Sequence, residues 1–300
     1  MNAGVIVDNE LVNDKRVLRE IKIIRGTGNN VFVLCLGFPG KIYPAAQGYT
    51  VKRITIPRKI KDTLFFLLNT IPVYEWLWAY HIKRFIRKFD IDIIHAHDLY
   101  MSRAAFIGKS GSKKSIPLVL DLHENFSYAV TTYNWTKGKI RSLLVKPGEW
   151  AEKEHEYLGF ADRIVVLSEE FRDHLVTKYP SLDASKFFSL PNVPDVEEME
   201  SFSVKDVKIP FQKKAPVLFY FGVVAERRGI FDALSVFASV IRDGTDLDFM
   251  IIGPVDKKDL NRFEEMISSA EISETCHGHL IAISFRKSKL ISLIIVFQNN

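Results

Sequence analysis

Cysteine is scarce in this chain. Only Cys35 and Cys276 occur in 300 residues. They stand far apart and without ligand spacing, which excludes a disulfide scaffold and a thiolate zinc site and fits a reducing compartment. A long apolar run is also missing. The greasiest stretch, Leu64 to Tyr80, contains Asn69, Pro72 and Glu75, and it falls short of the ~20 apolar residues of a spanning helix. The start, Met1-Asn-Ala-Gly-Val-Ile-Val-Asp8, reads as a first strand and lacks the layout of a signal peptide. Low-complexity segments are absent. The expectation is a cytoplasmic protein, peripheral at most at the inner face of the membrane. Nor is charge of one sign in great excess: 41 Lys and Arg stand against 36 Asp and Glu, a net +5. Such a balance favours anionic partners such as nucleotide phosphates or acidic headgroups; no nucleic-acid partner is expected.

What is present is a 47% hydrophobic fraction, enough for a sizeable core. Short apolar runs alternate with amphipathic stretches. Strands are predicted at 5–7, 31–36, 51–56, 91–95, 118–122, 163–167 and 187–190. Helices are predicted at 14–25, 76–89, 149–158 and 169–178. This βαβα order predicts a parallel sheet with helices on both faces, and near-continuous apolar strands fit burial on both sides. Pro191, Pro194 and the acidic run Asp195–Glu200 then break the pattern. It restarts with strands at 217–221 and 248–252 and helices at 229–241 and 257–269. The domains expected are 1–194, a linker 195–214, and 215–300, whose residues 276–300 form an atypical tail with Arg286, Lys287 and Lys289 but no acid.

In open parallel sheets ligands bind beyond the carboxyl ends of the strands. His95, His97 and Asp98 are predicted to end one strand, His123 and Glu124 a second, Ser168 and Glu169 a third, and Asn192 a fourth. Two readings of this edge stand side by side: a binding site, or the ordinary return of polar residues at strand ends. His95-Ala-His97-Asp98 with His123 also admits a divalent metal, as in a metal-dependent hydrolase. The rest of the N-terminal motif Asp14-Lys-Arg-Val-Leu-Arg-Glu20 reads as a capped helix with a solvated, mixed-charge face. Phe65, Phe66, Trp76, Trp78 and Tyr80 are expected in the core or on an interdomain face, with a membrane or lipid-acceptor role as the other reading.

In the second domain a strand runs into Gly222-Val-Val-Ala-Glu-Arg-Arg-Gly229 and then a helix. A helix start offers free N–H groups to an anion, and Arg227 and Arg228 carry forks that grip phosphate oxygens. The same residues also fit an ordinary strand–helix turn.

Taken in order, these blocks resemble family 4 glycosyltransferases of the GT-B fold, over residues 1 to about 275. The blocks are Asn13 to Glu20, Asp92 to Asp98, Leu118 to Glu124, Ala161 to Glu169, Leu190 to Pro194, and Phe219 to Gly229. The resemblance implies an α/β protein of two Rossmann-like parallel-sheet domains facing a cleft, here with the second incomplete. It implies retaining transfer from a nucleotide-diphosphate sugar to a glycan or lipid-linked acceptor. It places His123 at the transferred sugar, Gly222, Arg227, Arg228 and Gly229 at the donor diphosphate, and His97, Asp98, Glu124 and Asn192 on the acceptor side. It implies no metal and no cofactor beyond the donor. Two departures follow. Val223 stands where the family carries an arginine. The family's later glutamate pair, eight positions apart, does not occur in 201–300. A truncated transferase of impaired activity, or an inactive binding remnant, is therefore also expected.

Overall fold

The computed structural model describes residues 1–133, 145–194, 196–200, 216–245, 247–268, 280–283, 285–286 and 289–290. It forms two compact units, Met1–Phe202 and Ser203–Asn300.

In the first unit the elements follow as β1 (Asn2–Ile6), α1 (Lys15–Gly26), β2 (Asn30–Gly37), β3 (Thr50–Thr55), α2 (Arg58–Phe66), α3 (Val73–Phe89), β4 (Ile93–His97), α4 (Ser102–Lys109), β5 (Leu118–Asp121), α5 (Phe126–Thr132), α6 (Trp150–Gly159), β6 (Arg163–Val166), α7 (Glu169–Lys178), β7 (Phe187–Ser189) and α8 (Val196–Glu200). The seven strands form one sheet in the order β3-β2-β1-β4-β5-β6-β7, and every pairing is parallel. The strand order reverses between β1 and β4. At such a switch point the connections leave toward opposite faces and open a crevice beyond the strand ends.

Both faces of this sheet are packed. Ile6, Leu34, Ile94, Leu118, Leu120 and Ile164 meet Trp78, Ile82 and Phe85 of α3 in the larger core. On the other face Val5, Val33 and Cys35 meet Val17 and Ile21 of α1. The period-2 alternation of strand side chains assigns each residue its face. Helix α1 starts where the Asp14 carboxylate accepts from the Val17 N–H, 3.1 Å away. That bond satisfies one of the orphan donors of a helix start.

Two differences from the sequence reading concern the site. Strand β4 spans 93–97, two residues later than predicted. Asp90 closes α3 in the left-handed conformation, and Ile91 is spent on the core before the strand begins. His95 therefore lies within the strand instead of ending it. Helices α2, α4 and α5 were not anticipated, because Pro57 and the short amphipathic stretches gave no long periodic signal. Of the aromatics, Trp78 is fully buried, whereas Trp76 and Tyr80 are exposed.

The second unit contains β8 (Val217–Phe221), α9 (Ile230–Arg242), β9 (Asp248–Ile252), α10 (Leu260–Ser268), β10 (Leu280–Ile283), β11 (Phe285–Arg286) and β12 (Lys289–Leu290). Strands β10, β9 and β8 form a parallel sheet in that order. Phe231, Leu234 and Phe237 of α9 pack on Phe249 and Ile251. The segment 276–300, read as an atypical tail, thus supplies a third parallel strand, which its composition had not suggested. The apolar run Ile291–Phe297 lies outside the described residues.

Candidate functional site

The crevice at the switch point is bounded by the loop between β1 and α1. A pocket of about 520 Å3 there is lined by Asn9, Glu10, Leu11, Asn13, Asp14, Lys15, Arg16, His123 and Asn192. The loop is shaped by its own hydrogen bonds. The Asn9 side-chain oxygen accepts from the Leu11 N–H at 2.6 Å, and its amide donates to Asp14 at 2.7 Å. Leu11 takes a left-handed backbone and buries its side chain beneath the pocket.

His123 sits two residues past β5. The strand ladder continues through Leu122, whose N–H donates to the Val165 carbonyl at 2.9 Å. The His123 side chain is one-fifth exposed. Burial holds its imidazole below the ordinary histidine range, and Arg16 and His95 add to that depression against the opposing field of Asp121. The ring is therefore neutral near pH 7. Its Nε2 lies 2.9 Å from His97 Nδ1, and its Nδ1 lies 3.9 Å from the Asp98 carboxylate.

His97 was expected to line the acceptor side. It is instead fully buried and touches the pocket only through His123. The reason is register. His97 pairs with Asp121, and His95 with Val119, so all four point to the α1 face. There Arg16 and Glu20, one helical turn apart, close over them. Arg16 donates to both carboxylates: to Glu20 Oε1 at 3.0 Å, and to Asp121 Oδ1 through a short contact. The solvated face expected for α1 is in fact buried at Arg16 and Glu20, which are 8% and 7% exposed. Sequence reasoning missed these two and Asp121. The available signal was an i, i+4 Arg–Glu pair on the same helix as the apolar Val17 and Ile21.

Asp98 follows β4 with a left-handed φ of 73°. It accepts from the Tyr100 hydroxyl at 3.1 Å. Burial raises its carboxyl to about 7, and the negative charges of Asp8 and Glu124 push the same way. Glu124 accepts from the Tyr133 hydroxyl at 2.7 Å. Asn192 is exposed on the pocket rim and accepts from Arg19 at 2.8 Å. The first unit therefore brings His123, Asp98 and Asn192 to one edge, with Glu124 next in the chain.

In the second unit Gly222 follows β8 and its N–H donates to the Ile252 carbonyl at 2.9 Å. A side chain on Gly253 would stand 1.7 Å from the Gly222 oxygen. Glycine at 253 thus lets two strand ends close on each other. Arg227 and Arg228 lie in a single 3-10 turn, 226–228, and both are exposed. Gly229, at φ 70°, caps α9 with no side-chain cap. The first N–H groups of α9 therefore receive no bond from a capping side chain, which suits an anion.

The sequence model of Glycosyltransferase Family 4 matches residues 17–198. No curated protein sequence matches the chain. Among solved structures, the lipopolysaccharide outer core galactosyltransferase WaaB in its apo form superposes with a TM-score of 0.60 at 12% identity. That match covers 96% of this chain and 69% of that one. The E. coli trehalose-6-phosphate protein bound with UDP-2-fluoro glucose gives 0.62 at 11% identity, covering 97% and 75%. Sucrose-phosphate synthase from Thermosynechococcus elongatus gives 0.61 at 12%, covering 96% and 71%. At these identities the likeness is one of fold, the GT-B fold. The comparisons favour neither the hydrolase reading nor the inactive remnant.

Proposed function

This chain belongs to Glycosyltransferase Family 4, and on that footing we propose that it transfers a sugar, with retention at the anomeric carbon, from a nucleotide diphosphate to a glycan or lipid-linked hydroxyl. The observation that supports the site is His123: an imidazole just past a strand end, lining the switch-point pocket beside Asn192 and held from behind by His97.

In the reaction, the bond between the anomeric carbon and the diphosphate oxygen breaks as the acceptor oxygen bonds to that carbon. The acceptor proton passes to the departing phosphate. Negative charge grows on the diphosphate, so fixed donors aimed there lower the barrier. Arg227, Arg228 and the opening turn of α9 supply them, with Gly222 and Gly229 giving close backbone approach. Protein cations then do the work of a metal at the leaving group, and the transfer step needs none. His123 donates to a hydroxyl of the transferred sugar. A neutral ring suits this role, since it does not repel the cationic character that develops at the anomeric carbon. Asp98, Glu124 and Asn192 orient the acceptor.

Among the described residues no helix is long and apolar enough to cross a membrane. A lipid-linked acceptor nevertheless fits the α2–α3 surface. Trp76, Tyr80, Ile60, Ile71 and Val73 are exposed there beside Arg58, Lys59, Lys83 and Arg84. Aromatic rings and cationic side chains together suit the headgroup layer of a membrane, at which the protein would act from the cytoplasmic side.

The test is incubation of the full chain with a panel of UDP-, GDP- and ADP-sugars and cell-extract acceptors, followed by mass spectrometry. Release of one nucleoside diphosphate together with a glycosylated product is expected. Absence of product and of nucleoside diphosphate across the panel would overturn the reading.

A further inference from the structure

Four side-chain atoms converge beneath His123: Oε2 of Glu20, Nε2 of His95, Nε2 of His97 and Oδ2 of Asp121. None has a hydrogen-bond partner, although each is shielded from solvent. His95 Nε2 lies 3.8 Å from Glu20 Oε2 and 3.7 Å from Asp121 Oδ2. His97 lies 3.9 Å from Glu20 through Nε2 and 3.7 Å from Asp121 through Nδ1. One donor atom from each residue falls within 4.8 Å of the other three. His97 and Asp121 have no exposed side-chain surface. A buried polar atom without a partner is costly; four facing one point call for a common partner.

Charge and donor chemistry together point to the partner. With both ionised, two carboxylates and the single Arg16 guanidinium leave one negative charge in excess in a buried space. Arg16 engages only the outer oxygens, Oε1 of Glu20 and Oδ1 of Asp121, and so turns the inner oxygens toward the histidines. Separations of 3.8 to 4.8 Å around a tetrahedron put its centre about 2.3–2.9 Å from each donor. Zinc bonds nitrogen and oxygen at ~2.0–2.2 Å, while a water needs ~2.8 Å. The opening admits either, so the excess of negative charge decides for a cation. A proton can satisfy one pair of these atoms but not all four.

We propose that Glu20, His95, His97 and Asp121 bind one divalent transition-metal ion of the zinc class, a site that ties α1 to β4 and β5. Two imidazoles and two carboxylates form a borderline donor set that zinc accepts. The Arg16 bonds to the outer carboxylate oxygens orient the ligands, as outer partners do at metal sites. The ion stands behind His123 and does not touch the donor; this site rests on its own geometry and not on the transferase reading. It has one consequence for the pocket. With Nε2 of His97 bound to the ion, the remaining ring proton sits on Nδ1 and is donated to His123 Nε2. The proton of His123 is then fixed on Nδ1, the nitrogen 3.9 Å from Asp98.

The experiment uses the full untagged chain, stripped with chelator and titrated with zinc ions. About one equivalent is expected to bind, raising the melting temperature by roughly 5–10 °C at a hundredfold excess over Kd. H95Q and E20Q should lose the response, whereas H155A, at a histidine outside the cluster, should keep it. Should the cluster variants fail to fold, X-ray absorption of the zinc-loaded wild type decides, with two imidazoles and only nitrogen and oxygen ligands expected. Nitrogen NMR should show His123 moving to the Nδ1–H tautomer on loading. Absence of zinc binding and of any thermal response would overturn the proposal and leave a shared proton in the cluster. Zinc bound equally by H95Q and wild type, or an absorption spectrum without imidazole, would also overturn it.

Discussion

His97 Nδ1 and His123 Nε2 face each other at 2.9 Å, one ring fully buried and the other opening onto the switch-point pocket. The buried histidine thus sets the orientation of the exposed one. On the proposed reading His97 positions His123 without touching the sugar, and H97Q should show it. The expected loss in kcat is about 5- to 30-fold, from one buried hydrogen bond of ~1–2 kcal/mol. The KM for donor should change little, and the titration of His123 followed by NMR should shift. A loss confined to thermal stability would contradict this role.

The diphosphate grip predicts a binding effect. R228A should weaken nucleoside-diphosphate affinity by roughly 1.5–3 kcal/mol, the range for a charged hydrogen bond. Calorimetry with the diphosphate of the preferred donor measures it. Equal affinity in the variant would remove Arg228 from the site.

Two glycines should respond very differently to alanine. At Gly253 the added methyl meets the Gly222 carbonyl at 1.7 Å, with φ at 153°. Backbone must move there, and a loss of about 3 kcal/mol or more is expected in the second unit. At Gly229, φ is 70° but the space is open, so only the left-handed backbone cost of about 1–2 kcal/mol applies. Denaturation followed by a probe in the second unit separates them; similar losses would refute the close approach of the strand ends.

Asp8 supplies a pH prediction. It is buried, accepts from the Tyr74 hydroxyl and lies 3.9 Å from Lys61. Burial raises its carboxyl to about 6, with Lys61 and Tyr74 opposing. A raised carboxyl contributes stability that is present in full below the unfolded value, near 3.8, and is lost as pH rises through 6. Relative to D8N, the wild type should therefore lose on the order of 2–3 kcal/mol between pH 4 and pH 8. Paired denaturation curves at several pH values measure it, and a constant difference would contradict the buried ionisation.

The parallel sheet was legible because buried strands such as Ile164–Val166 are apolar without interruption. The restart at Val217 was legible because a strand leads straight into a glycine-bounded loop and an amphipathic helix. The site was legible only in part. His123 follows an apolar strand, and its place at the strand-end pocket was legible from that position. What brings Arg16 and Glu20 beneath it is the crossing of α1 over β4 and β5, a contact 105 residues apart in sequence between Arg16 and Asp121. No local pattern encodes such a contact, so both looked like surface charges. His97 was misplaced for a related reason. Its burial depends on register with Asp121, and the strand's start was read two residues early.

The central claim, that His123 serves the transferred sugar, is tested most directly by H123A in a transfer assay with the donor that the wild type uses. The account predicts a fall in kcat on the order of a hundredfold or more, as for loss of one preorganised donor at a transition state, with the KM for donor within about threefold and the fold intact by circular dichroism. An H123A chain that turns over at the wild-type rate would contradict it.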